Sequence, residues 1–110
     1  MAGKFVLKRS GEQFMFNLLA AGNWEVIFTS ERDTRAGDAR NGIAAVKANA
    51  PLDARYTKKL SVAGEPYFVL RAANNEVLGT SEMYSTSRAR EEGIAAIKAY
   101  APAATIEDRI

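Results

Sequence analysis

Apolar and polar positions alternate with a period of two over residues 12–20, where Phe14, Phe16 and Leu18 interleave with Met15, Asn17 and Leu19. That spacing predicts a strand with one face turned to a core and the other outward. KFVLKRS at 4–10, ARYTKKL at 54–60 and PYFVLRA at 66–72 are further short β-rich runs. The segments AAGNWE and AANNE then turn the chain into third strands, EVIFTSE at 25–31 and EVLGTSE at 76–82. Gly and Asn tolerate the left-handed backbone that such hairpins need. Beyond these strands the period changes. Ala39, Ile43, Val46 and Ala50 recur at steps of three and four, as do Arg90, Ile94, Ile97 and Ala101, predicting two amphipathic helices. Thr34 and Ser85 stand where N-caps are expected. Pro51 and Pro102 stop the helices because proline cannot continue the hydrogen-bonding ladder. The tail AATIEDRI predicts a short final strand.

The same pattern is written twice. NGIAAVKANAP at 41–51 returns as EGIAAIKAYAP at 92–102, and Gly42 and Gly93 stand 51 positions apart. FNLLAAGN matches FVLRAANN with a shift of 52, which makes Trp24 the extra residue of the first copy. Across residues 11–51, roughly 18 of about 40 aligned positions are identical, which marks a duplication. The expected organisation is a first repeat at 1–52 and a second at 53–110, together one compact domain. A unit of about 50 residues buries too little of its surface to be stable alone, so a monomer with an internal pseudo-dimer is expected.

Comparing the copies sorts the side chains. Phe16/Phe68, Leu18/Leu70, Ile43/Ile94 and Val46/Ile97 stay apolar and are expected in the core. Met15/Tyr67, Asn17/Val69 and Leu19/Arg71 change character and are expected on an outer face. Phe28/Gly79 fits neither class and leaves the third strand unoriented. Gly42 and Gly93 lie within the helices, where glycine costs about 1 kcal/mol relative to alanine. Their presence in both copies predicts close packing against the sheet or the twin helix.

The pattern F-x-L-x-A-A-N-x-E-V-[IL]-x-T-S-E followed by [NE]-G-I-A-A-[VI]-K-x-x-A-P, present twice over essentially the whole chain, resembles the YegP-like family of small proteins. The resemblance implies an α+β fold: two tandem β-β-β-α(-β) repeats related by a pseudo-twofold, with an antiparallel sheet and two helices. It implies no reaction. Three departures from the family pattern stand out: Trp24 in the first hairpin, Asn74-Asn75 in the second, and Asp33 where the second copy, like the family, has the aromatic Tyr84.

Composition narrows the chemistry. The 110 residues carry 15 basic and 13 acidic side chains, a net charge of only +2, which argues weakly for nucleic acid. Cys and His are both absent, which removes disulfides, the usual zinc sites and Ser-His-Asp triads. Phosphate-loop, dinucleotide and nucleophile-elbow motifs are missing as well, and no cofactor or metal is implied. No stretch approaches the roughly 18 apolar residues of a membrane span, and the start lacks a long apolar run, so a cytoplasmic protein is expected.

Two surfaces and one motif remain as candidates. Lys4 and Lys8, with Arg55 and Lys59 at the matching positions and Tyr67 and Arg71 beside them, make a basic, partly aromatic sheet face suited to nucleic acid. The bland alternative is a solvated face whose lysines blunt strand edges. Trp24 is an interface anchor or a ring folded back over Leu19 or Phe28. The tripeptide TSE recurs as Thr29, Ser30, Glu31 and as Thr80, Ser81, Glu82. It is read as structural, with the glutamates accepting hydrogen bonds near the helix starts; an anion site is the alternative. The leading functional reading is a non-enzymatic module that binds a protein partner. A weak nucleic-acid binder comes second, and an enzyme without His or Cys third.

Overall fold

The computed structural model describes residues 3–110. Strands β1 (Lys4–Ser10), β2 (Gln13–Leu19) and β3 (Val26–Ser30) lead into helix α1 (Ala36–Asn49). Strands β4 (Tyr56–Leu60), β5 (Pro66–Arg71) and β6 (Val77–Ser81), helix α2 (Ser87–Tyr100) and strand β7 (Thr105–Asp108) follow. All seven strands form one sheet in the order β4-β5-β6-β3-β2-β1-β7. Each repeat contributes an antiparallel meander, and the meanders join through β3 and β6, with Phe28 opposite Ser81, Thr29 opposite Thr80 and Ser30 opposite Gly79. Thr29 and Thr80 are equivalent residues, so the pseudo-twofold axis passes through their pair. The tail strand β7 joins the free edge of β1 in parallel, making the sheet mixed at that end.

Phe5, Leu7, Phe16, Leu18 and Phe28 meet Phe68 and Leu70 in a single core, closed by Ile43 and Val46 of α1 and Ile94 and Ile97 of α2. All four pairs expected inside are buried. The pair that could not be oriented turns out to be the joint of the molecule. Phe28 is fully buried, and a Cβ on Gly79 would lie 2.5 Å from its ring and 2.5 Å from the Thr29 carbonyl oxygen. At a symmetry axis two equivalent side chains contend for one space, and here one ring fills it while its twin is reduced to hydrogen. Of the residues expected outside, Met15, Asn17 and Val69 are buried. Neighbours on the same face cover them: Met15 lies opposite Lys8, and Val69 between Thr57 and Thr80. Asn17 donates to the Thr29 hydroxyl at 2.9 Å.

Three local expectations need correction. The helices start one residue later than the repeat alignment indicates: Arg35 precedes α1 without a side-chain cap, and Thr86 caps α2 by accepting from the Ala89 N–H at 3.0 Å. Arg55 precedes its strand, in a short 3-10 turn over Asp53–Arg55, and donates to Asn49 at 2.9 Å. Trp24 is not the extra residue. Both hairpins contain an Asn that accepts from the following Glu N–H at 3.0 Å, Asn23 with Glu25 and Asn74 with Glu76. The next position is left-handed in each, Trp24 at φ 54° and Asn75 at φ 73°. The inserted residue therefore falls at Ala21-Gly22, where Gly22 has φ 96°.

Candidate functional site

Two clefts lie between each helix and the β-hairpin of the opposite repeat, related by the pseudo-twofold. The second-repeat cleft, about 360 Å³, is lined by Glu82, Tyr84 and Gly93 together with Glu25, Val26 and Ile27 of the first repeat. Its counterpart measures about 510 Å³ and is lined by Glu31, Asp33 and Gly42 with Glu76, Val77 and Leu78 of the second repeat. Asp33 and Tyr84 hold matching backbone positions. Asp33 exchanges two backbone hydrogen bonds with Phe14, at 2.7 and 2.8 Å, whereas Tyr84 only donates to the Pro66 carbonyl, since proline lacks an N–H. The side chains then diverge. The Tyr84 ring lies over Phe68 and against Gly93, burying that glycine. The short Asp33 carboxylate does not reach over Gly42, which stays only partly buried beside the edge of Phe16.

The larger cleft is strongly acidic. Glu31 follows the last residue of β3, Asp33 comes from the segment before α1, Asp38 from the first turn of α1, and Glu76 from the β5–β6 hairpin. Among the described residues none of the four takes part in an ion pair, although ion pairs form elsewhere on the surface, such as Lys58 with Glu91 at 2.7 Å. Partial burial, then the charges of Asp38 and Glu76, push the Asp33 carboxyl above its ordinary value. Phe16 forms part of the floor, while Asn41 and Asn74 add amide groups. The one hydroxyl in the lining is already committed: Ser30 Oγ accepts from the Phe16 N–H and donates to the Glu31 carbonyl, both at 2.8 Å.

The architecture and both repeats have counterparts among known proteins. A family model described as a domain of unknown function, DUF1508, matches twice in tandem, at residues 10–56 and 61–108. A UPF0339 protein of Bordetella pertussis is 53% identical over 99% of this chain and 97% of its own length. The UPF0339 protein YegP of Escherichia coli is 47% identical over 98% of each chain. The chain belongs to the YegP-like UPF0339 family. Solution NMR structures from two members superpose closely on it. The Shewanella oneidensis protein gives a TM-score of 0.90 at 45% identity, covering 98% of this chain and 92% of that one. The Escherichia coli protein gives 0.92 at 46%, covering 99% and 94%, and is described as of unknown function.

Within this YegP-like frame the basic residues are not brought together. Four strands separate β1, with Lys4 and Lys8, from β4, with Lys59, a distance of about 24 Å at the usual strand spacing. Lys4 pairs with Glu107 at 3.1 Å and lies 4.5 Å from the centre of the Trp24 ring. Trp24 is thus half-exposed at 47%, held beside Lys4 on the outer face. Lys59 and Tyr67 are cross-strand partners, and Arg71 donates to Thr57 Oγ1 at 3.2 Å and to the Asn75 carbonyl at 3.1 Å. Arg55 lies in the turn that precedes β4.

In TSE the serines carry the structure. Ser81 Oγ accepts from the Phe68 N–H at 3.0 Å and donates to the Glu82 carbonyl at 2.8 Å, repeating the arrangement at Ser30. Thr29 and Thr80 form the axis pair. Glu31 and Glu82 are exposed cleft residues, and neither carboxylate accepts a hydrogen bond from a helix N–H among the described residues. Asp38, Asn41 and Glu76 were missed in the sequence. The signal that pointed to them was the exchange of Asp33 for Tyr84.

Proposed function

We propose that this protein is a non-enzymatic interaction module whose larger cleft takes a positively charged segment of a partner polypeptide. The observation that carries the reading is the Asp33-for-Tyr84 exchange, which leaves a cleft of about 510 Å³ surrounded by four carboxylates, with no cation in the lining among the described residues. Like charges gathered around a concavity repel one another and attract a cationic ligand, most strongly where surrounding protein restricts solvent screening. Walls from both repeats give the cleft a fixed shape. A carboxyl with a raised pKa also suits a general acid. The one hydroxyl of the described lining, Ser30, is engaged on both sides, so no hydroxyl nucleophile stands ready beside it. Dispersal of the basic residues disfavours nucleic acid, whose binding draws on several phosphate contacts at once.

Isotope-labelled protein titrated with octalysine tests the proposal. Amide shifts should concentrate at Asn41, Gly42 and Asn74, and affinity should fall roughly tenfold or more between 0.05 and 0.3 M salt. A single-stranded oligonucleotide is titrated in parallel. Shifts with it at Lys8, Lys59 and Tyr67, and none with octalysine at the cleft, would replace this reading by nucleic-acid binding.

A further inference from the structure

The second repeat shows what shape the cleft accepts. The flat phenol ring of Tyr84 lies parallel to Phe68, with centroids 6.4 Å apart and planes 8° apart, and it ends against the bare backbone of Gly93. Any Cβ on Gly93 would collide with the phenol oxygen. In the first repeat the same helix glycine is kept as Gly42, but no side chain among the described residues covers it fully. A Cβ there would press on the edge of the Phe16 ring, at 3.1 Å, and on no other group within 4 Å among the described residues. A space beside this glycine therefore exists in both repeats: Tyr84 fills it in the second, whereas in the first the Phe16 edge closes one side and the rest opens into the cleft.

Charge decides what fits the open slot. Where the phenol would lie, Asp33 now contributes a carboxylate, and Glu31 just after β3, Asp38 of α1 and Glu76 of the β5–β6 hairpin line the same space. The group that suits this space is flat and positive. From this we infer that the slot over Gly42 receives the guanidinium of an arginine presented by the partner's basic segment. The inference rests on the reading of the cleft proposed above and names the group at its centre. A guanidinium is planar, always charged and carries a fork of donors matched to carboxylates. A lysine ammonium matches the charge but not the shape, being compact and strongly hydrated.

Three nonapeptides with lysines at every other position and arginine, lysine or citrulline at the centre provide the test, each titrated into the full chain in low salt. The arginine peptide should bind about five- to tenfold tighter than the lysine peptide and produce the largest Gly42 amide shift. Citrulline, flat but neutral, should be the weakest. Asp33→Tyr, which restores the residue of the other repeat, should erase the arginine preference, and Gly42→Leu, which fills the slot from the helix, should do the same. Equal affinity for the arginine and lysine peptides overturns the guanidinium while leaving a basic ligand in place. No binding by any of the three overturns both readings. An arginine preference that survives both variants places the group elsewhere and overturns the slot.

Discussion

At position 33 a carboxylate occupies a place that the other repeat gives to a phenol ring, and the consequence is electrostatic. Burial first, then Asp38 and Glu76, raise the Asp33 pKa above 3.8, so the folded chain holds this proton more tightly than the unfolded chain does. Between the unfolded and folded values the native state binds more protons, so stability falls as pH rises through that window. Above it the penalty is complete. Glu31, Asp38 and Glu76 line the cleft with Asp33, and among the described residues no cation in the lining offsets them. Asp33→Asn should therefore raise the melting temperature at pH 7, by on the order of 1–3 °C because solvent screens much of the repulsion. The gain should vanish near pH 3.5. Thermal unfolding of the two proteins at both pH values checks this, and a variant less stable at pH 7 would show that the carboxylate is held by favourable contacts instead. The price in stability fits a residue kept for binding.

Among the elements, the most exacting feature is the way each repeat's second and third strands part company. Beyond the bulges at Leu18/Leu19 and Leu70/Arg71, Phe16 and Phe68 direct their N–H groups at serine hydroxyls instead of at carbonyls. Both donors are buried, so Ser81→Ala leaves the Phe68 N–H without a partner and should cost about 1–3 kcal/mol in urea denaturation. Glu82→Gln should change stability far less, since its carboxylate is exposed. The reverse ranking would return the tripeptide's role to its glutamate. Much at this scale was legible in sequence: alternation around Phe16 and Phe68 gave the strands, and the three-four spacing around Ile43 and Ile94 gave the helices. The hydroxyl partners were not legible, because they depend on where two strands separate in space. Counting identities also placed the extra residue at Trp24, since a tryptophan does not resemble Asn75. Only their shared left-handed backbone, at φ 54° and 73°, reveals the equivalence. The cleft was half legible: Asp33 stood out against Tyr84, but Glu76 reaches it from the other repeat.

The whole molecule behaves as a dimer of unlike halves, and its asymmetry can be tested by taking it apart. Phe28 fills the space on the axis that Gly79 vacates, and β7 of the second half completes the edge of β1 in the first. Fragments 1–52 and 53–110, made separately, each lose the complement of their apolar face and should not fold as stable monomers. Symmetric self-association meets an obstacle in each. Two copies of the first fragment bring two Phe28 rings to a space that holds one, and overpacking of that kind typically costs 1–3 kcal/mol. Two copies of the second bring Gly79 to Gly79 and leave a void where a ring belongs, a loss comparable to the roughly 3–5 kcal/mol of a buried Phe→Ala change. Mixing the fragments removes both faults and restores the β1–β7 edge. Native mass spectrometry of the mixture should therefore show the one-to-one complex in at least about tenfold excess over either homodimer, since tenfold corresponds to only 1.4 kcal/mol. Adding Gly79→Phe to the second fragment should abolish that preference by placing a ring on both sides of the axis. If the first fragment dimerises with itself as readily as with the second, then the Phe28–Gly79 pair does not govern how the halves recognise each other.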